Sequence, residues 1–249
     1  MKYYLALIIL ITFSTINAQE ILKITYSSQM KVEDDLSDTD IPDAKKAAFR
    51  KMVKEAMQEV HYFDLITTST ESTYKKIEKI NNDLPKEGGM RISVSSGGTF
   101  SYKNIITKEV LELRKSFNKN YIVKDTLEYF DWKITREKDN ILGYEVRKAT
   151  SIDSTRTITA WYAPKLVMKT GPADYWGLPG LILKVKVALN NEEKTRFYYE
   201  AQELKVDIED KIEKPTDGEI ISENEYNAIM QDISKKFREM RESGVDTSD

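Results

Sequence analysis

The chain has 249 residues, with 38 lysines and arginines against 41 aspartates and glutamates, so its formal net charge is −3. This slight acidity, with both signs mixed along the chain, argues against a nucleic-acid-binding protein, which needs a basic stripe. The chain has no cysteine, which excludes disulfide bonds, thiolate catalysis and cysteine-ligated metals.

The first eighteen residues have the features of a secretory signal peptide. Lys2 is its basic start, residues 5–13 form an apolar core too short to span a bilayer, and residues 16–18 offer a small-residue cleavage site. We expect cleavage near Ala18 and a soluble periplasmic or secreted product without a transmembrane segment. The mature chain, about 230 residues long, can build its own core without disulfides.

Strict alternation of apolar and polar residues predicts a long first strand over Leu22–Val32. The acidic residues 33–40 are interpreted as a loop, because they lack the glycine and the closing glutamate of an EF-hand. Pro42 suits the first turn of an amphipathic helix that ends near His61. The apolar stripe of this helix consists of Ala44, Ala48, Met52, Ala56, Met57 and Val60.

Short alternating segments between turn residues predict many strands in the centre of the chain. Residues 63–67 begin a second strand, and residues 95–98 are interpreted as a hairpin turn because the Gly-x-Ser-x-Gly frame of a serine nucleophile is absent. Residues 108–119 fit helix and strand equally well. A hairpin that turns at residues 138–140 is predicted next, followed by a strand over residues 156–162.

Residues 171–187 join a rigid loop to a strongly alternating strand. Pro179 fixes its own φ and Gly180 tolerates a positive φ, which predicts a type II turn. After the turn, Lys184 and Lys186 point to one face, and the opposite face carries Leu181, Leu183, Val185 and Val187. Asn190 and the following asparagine predict a hairpin that returns the chain antiparallel to this strand.

Pro215 and Gly218 end the sheet pattern before a C-terminal helix over about 222–243, which starts with a capping box of Ser222 and Glu225. Its apolar stripe consists of Tyr226, Ile229, Met230, Ile233, Phe237 and Met240. We predict one α+β domain, residues 19–249, that is mainly antiparallel β, a curved sheet or open half-barrel with an N-terminal and a C-terminal amphipathic helix. The half-barrel of periplasmic lipoprotein carriers is a fold-level analogue.

Six consecutive residues spell the signature of the GLPGLI family of secreted Bacteroidetes proteins: Gly177, Leu178, Pro179, Gly180, Leu181 and Ile182. The chain resembles this family from about Asp131 to Val187. Many members have a cysteine where this chain has Glu145 and Val146, so no role for a thiol transfers. The family has no settled biochemical activity, but its members are often encoded near TonB-dependent outer-membrane receptors. The resemblance therefore implies an accessory protein of the cell envelope.

The sequence contains few of the residues and motifs that are typical of enzymes. His61 is the only histidine, and neither a glycine-rich phosphate loop nor an HExxH motif is present. We expect a non-enzymatic protein without a cofactor, a metal or catalytic residues, which assists an outer-membrane receptor or holds an apolar ligand. A periplasmic hydrolase that uses paired carboxylates is the alternative.

Aromatic residues of the resembling region are the candidate binding residues: Trp132, Trp161, Tyr175 and Trp176. Large aromatic side chains line apolar pockets and anchor protein interfaces, and either role fits them. Core packing is the other interpretation, above all for Trp132 and Trp161.

Overall fold

The computed structural model describes residues 20–32, 59–78, 100–116, 119–190, 192–206 and 209–242. The expected signal peptide, almost all of the expected N-terminal helix and the turn at residues 95–98 lie outside these ranges. The described residues form twelve strands and one helix: β1 (Leu22–Val32), β2 (His61–Thr67), β3 (Glu71–Lys76), β4 (Phe100–Asn104), β5 (Glu109–Ser116), β6 (Lys119–Thr126), β7 (Lys133–Ile141), β8 (Tyr144–Ile152), β9 (Arg156–Ala163), β10 (Leu181–Leu189), β11 (Glu192–Val206), β12 (Glu219–Ser222) and α1 (Glu223–Glu242).

All twelve strands of these residues belong to one sheet, in the order β12-β6-β5-β4-β3-β2-β1-β11-β10-β9-β8-β7. Neighbours are antiparallel, except that β12 runs parallel to β6. The mainly antiparallel β class is therefore confirmed. β1 has the bounds that its alternation predicts, and it lies between β2 and β11 in the middle of the sheet.

The connection between β6 and β7 requires this sheet to curl. The two strands follow one another in the chain, yet ten inter-strand steps separate them in the sheet. At about 4.8 Å per step, a flat sheet would place them about 48 Å apart. The chain from Thr126 to Lys133 spans at most about 25 Å. The sheet therefore wraps around the connector, residues 127–132.

The expected helix does not extend to Val60, because Glu59 and Val60 are not helical and His61 is the first residue of β2. His61 is buried together with Phe63 and Leu65, so the alternation of the second strand begins earlier than expected. The ambiguous residues 108–119 form a strand, β5, over most of their length.

The hairpin between β7 and β8 turns at Leu142 and Gly143, not at residues 138–140 as predicted. Both turn residues have positive φ, 52° and 82° respectively, as a tight two-residue hairpin requires. The side-chain oxygen of Asn140 accepts the Gly143 N–H at 3.1 Å. The glycine decides the position of the turn because it enters the left-handed region most easily.

The main core lies inside the curl. It joins β1–β3 to β8–β11, and it includes side chains from the connector and from the loop 164–180. Leu181, Ile182 and Leu183 are all fully buried, because a bulge between Ile182 and Lys184 interrupts the predicted alternation. The Tyr26 hydroxyl donates a hydrogen bond of 2.6 Å to the Ile182 carbonyl at this bulge.

The C-terminal helix α1 begins with the predicted capping box. The Ser222 N–H donates to the Glu225 carboxylate at 2.7 Å, and the Glu225 N–H donates to the Ser222 hydroxyl at 3.2 Å. Tyr226 and Ile229 then pack on β6 and β12 at the end of the sheet. No helix within the described ranges is both long and apolar enough to cross a membrane.

Candidate functional site

The loop 164–180 connects β9 to β10 and is fixed by backbone hydrogen bonds along its length. The N–H groups of Gly177 and Ile182 donate to the carbonyls of Lys169 (2.9 Å) and Thr170 (3.0 Å). At the corner, the Gly180 N–H donates to the Leu178 carbonyl at 2.8 Å, which closes a three-residue turn where a type II turn was predicted. Gly180 does have the predicted positive φ, 154°.

The six residues of the signature divide between surface and core. Gly177 and Pro179 are exposed, whereas the four that anchor the loop to the core are buried: Leu178, Gly180, Leu181 and Ile182. In this arrangement the signature fixes the corner through which the loop enters β10.

A buried lysine lies under the loop. Lys103 in β4 is 1% exposed, and its Nζ donates to the carbonyls of Gly171 (3.3 Å) and Ala173. Burial lowers the pKa of Lys103 to about 8, although the negative charge of Asp174 opposes this change. Sequence reasoning missed Lys103, because its position next to Tyr102 in an alternating strand is typical of a solvent-facing side chain.

Trp132 and Trp176 clamp the connector to the loop through reciprocal hydrogen bonds. The Trp132 indole N–H donates to the Trp176 carbonyl at 2.8 Å, and the Trp176 indole N–H donates to the Glu128 carbonyl at 2.7 Å. The Lys108 ammonium lies 4.0 Å from the centre of the Trp176 ring, a cation–π contact. The clamp joins three segments that are distant in the sequence.

The structure brings three of the four candidate aromatic residues together and separates the fourth. Phe130 packs between Trp132 and Tyr175, with ring centres 5.3 and 5.7 Å away, and Tyr175 is buried. Burial raises the pKa of the Tyr175 hydroxyl. Trp161 alternates with the buried residues of β9 and therefore lies on the opposite face, where the Lys184 ammonium is 5.7 Å from its ring.

The clamp can be tested by replacing each tryptophan with phenylalanine, which removes the indole N–H but keeps an aromatic ring. We expect Trp132→Phe and Trp176→Phe each to lower the free energy of unfolding by about 1–2 kcal/mol, measured by urea denaturation. Their double variant should lose less than the sum, because both bonds join the same two segments. Trp161→Phe should be additive with either one. Strict additivity of Trp132→Phe and Trp176→Phe would contradict the clamp.

An acidic cleft of about 150 Å³ lies beside the clamp. Its lining residues are Val110, Glu112, Arg114, Val123, Asp125, Thr126, Leu127, Glu128, Asp174 and Glu223. Arg114 bonds to Glu112 at 2.7 Å and to Glu223 at 2.9 Å. Burial lowers the pKa of Arg114, but the two glutamates outweigh it and raise this pKa above its ordinary value. Five carboxylates and one arginine thus line the cleft.

The described residues contain no group of three or more histidine, aspartate or glutamate side chains arranged to hold a metal ion. His61 does not line the acidic cleft. A second cavity, of about 350 Å³, lies against β1–β4 on the face that carries Lys23 and Asp64. Three apolar residues of its wall, Ile66, Ile77 and Phe100, are outnumbered by seven charged ones.

One family model matches this part of the chain. Residues 151–184 match the model of a family described as a protein of unknown function, Porph_ging. This match spans the loop 164–180 and the six-residue signature. No curated protein matches the chain.

Among solved structures, the chain is similar to PNGF-II in two space groups, C2 and P21, at 19% identity in both. The TM-scores are 0.54 and 0.51, with 85% and 84% of this chain covered. The chain spans about a third (33%) of the length of these PNGF-II chains. A LolA superfamily protein, NE2245 from Nitrosomonas europaea, matches with a TM-score of 0.32 at 8% identity, covering 76% of this chain and 87% of that one. The likeness to PNGF-II shows a shared fold.

Proposed function

We propose that this protein is a non-enzymatic accessory module of the cell envelope that binds another protein through the surface around Trp176. The observation that supports this proposal is that the interior of the curled sheet is filled by side chains of the protein itself. The space where a carrier of apolar ligands would hold its ligand is filled by the chain's own loop 164–180 and connector 127–132.

Aromatic side chains pack against one another in this interior. Tyr74 stacks on Phe63 with ring centres 4.8 Å apart, and Tyr26 meets Tyr74 edge-on at 6.4 Å. Tyr175, from the loop, meets Tyr199 of β11 at 5.8 Å. Rings packed at these distances leave little free volume between them, which supports binding at the surface over binding in the interior.

The comparisons and the resemblance support an accessory role. The GLPGLI signature lies inside the residues that match the family model, and the GLPGLI proteins are secreted and often encoded near TonB-dependent receptors. In PNGF-II, the same fold makes up about a third of a longer chain. A fold that occurs next to other parts of a protein suits an accessory module, and an outer-membrane receptor is the partner that the resemblance favours.

A photo-reactive cross-linker at Tyr129, which is 83% exposed and follows the Glu128 bound by Trp176, tests this function. In the native cell envelope we expect it to label one outer-membrane protein at least about tenfold more strongly than the same cross-linker at Ile220, which is 65% exposed on β12. Equal labelling at both positions would contradict a binding surface around Trp176.

Native mass spectrometry of the protein purified from its own envelope separates the proposed function from the carrier interpretation. We expect the mass of the mature polypeptide without a bound lipid. A stoichiometric lipid that survives purification would favour a carrier of an apolar ligand and contradict the proposal.

A further inference from the structure

Three segments meet at one surface: the turn 105–108 between β4 and β5, residues 127–129 of the connector, and residues 174–177 of the loop. We name it the docking surface. The Leu127 N–H donates to the Lys108 carbonyl at 2.9 Å, which joins the first two segments. Trp176 joins the third, since its indole N–H bonds to the Glu128 carbonyl and its ring lies under Lys108.

The docking surface presents large apolar side chains on a fixed backbone. Ile106 is 71% exposed and Tyr129 is 83% exposed. The Asn104 side chain holds the turn, because its oxygen accepts the N–H groups of Ile106 and Thr107, both at 2.9 Å. A backbone that is already held loses little further conformational entropy on binding, which favours a tight interface.

The acidic cleft opens beside these anchors, since Leu127, Glu128 and Asp174 belong to both. Its volume of about 150 Å³ is below the roughly 300–1,000 Å³ of small-molecule sites, but it can admit one long side chain. Arg114 neutralises part of the negative charge of Glu112 and Glu223, and Arg156 pairs with Glu128. The positive charge of Lys103 acts on Asp174. The five carboxylates of the cleft still outnumber these three cationic side chains, so the cleft complements a cation.

We infer that the docking surface takes a protein partner that inserts an arginine or lysine side chain into the acidic cleft and places an apolar side chain against Tyr129 and Ile106. This inference rests on the proposed function and names the chemistry of its partner. Arginine suits the cleft best, because its planar guanidinium can bond to carboxylates bidentately and stack on an aromatic ring. A membrane surface fits worse, since anionic lipid headgroups are repelled by the carboxylates.

The test uses the full mature chain, with a phage-displayed library of random peptides as the probe. We expect the selected peptides to carry an arginine or lysine next to an apolar residue, and their affinity to fall as salt rises. Peptide affinity should fall at least about tenfold in the double variant Asp125→Asn with Asp174→Asn, and also in Tyr129→Ser. The charge-matched control Asp139→Asn with Glu145→Gln removes two carboxylates of the β7–β8 hairpin, and its affinity should be unchanged.

Selected peptides without a basic residue would overturn the inference, as would a failure to select any peptide. Full affinity in the double variant Asp125→Asn with Asp174→Asn would overturn it too. Circular dichroism checks that each variant is folded. A different result contradicts the proposed function, namely equal labelling by the photo-reactive cross-linker at positions 129 and 220. If position 129 labels a receptor but the peptides lack a basic residue, the proposed function stands and the inference fails.

Discussion

Replacement of Gly180 with alanine is expected to lower the free energy of unfolding by at least about 3 kcal/mol, or to prevent folding. The added Cβ would lie 2.3 Å from the Ala163 carbonyl oxygen and 2.9 Å from the Pro164 Cα. Both contacts are with backbone, which cannot rotate away as a flexible side chain could. The φ of Gly180, 154°, is also one that residues with a Cβ rarely adopt. Urea denaturation followed by circular dichroism measures the effect.

Gly143→Ala is the matched control for Gly180→Ala. Gly143 has a positive φ of 82°, but nothing lies within 4 Å of the position that its Cβ would take. Gly143→Ala therefore tests the backbone strain alone, and we expect it to lower the free energy of unfolding by about 1 kcal/mol. A loss at Gly180 no larger than the loss at Gly143 would contradict the close packing of β9 against the corner of the loop.

Lys103→Met is expected to remove a pH dependence of stability that the wild-type chain has above pH 8. Burial lowers the pKa of Lys103 from 10.5 to about 8 on folding, so the folded chain binds this proton less strongly than the unfolded chain does. Below pH 8 the full penalty for burying the ammonium is present. Between pH 8 and 10.5 the folded chain has lost the proton while the unfolded chain keeps it, so stability rises with pH.

The unfolding free energy of the wild-type chain should therefore rise by about 3 kcal/mol relative to that of Lys103→Met from pH 7 to pH 10.5. At the high-pH limit the variant still lacks the donor to Gly171 and Ala173, so it should be the less stable chain there. Lys115→Met, at an exposed position of β5, is the control for replacing a lysine of this sheet that is not buried. A flat difference for Lys103→Met would contradict its burial under the loop.

The loop 164–180 is held inside the curled sheet by contacts at several places. Gly180 fixes its end, Lys103 bonds to its carbonyls, and the clamp of Trp132 and Trp176 ties it to the connector. Hydrogen bonds at three separate places restrict the loop, and they hold Trp176 and Asp174 at the docking surface. The family match over residues 151–184 covers this loop, β9 and the start of β10.

Local patterns in the sequence determined the elements of this fold. Alternation predicted β1 and β9, since a strand with one buried face repeats every two residues. The asparagine pair 190–191 predicted the hairpin that returns β11 antiparallel along β10. Ser222 and Glu225 predicted the start of α1, because a capping box is complete within four residues. The positive φ of Gly180 was also predicted, because it depends only on this glycine and on Pro179 before it.

Only the tertiary structure decided which elements meet. Alternation predicted strands in the centre of the chain but not their order, and β6 and β7, although consecutive in the chain, lie near opposite ends of the twelve strands. Sequence patterns grouped Trp161 with Trp132 and Trp176, although Trp161 lies on the other face of β9. They also left Lys103 outside the candidate site. Strand order, the curl of the sheet and the burial of a lysine depend on contacts between residues far apart in the chain. Local periodicity reports the face on which a side chain lies, and it carries no information on what covers that face.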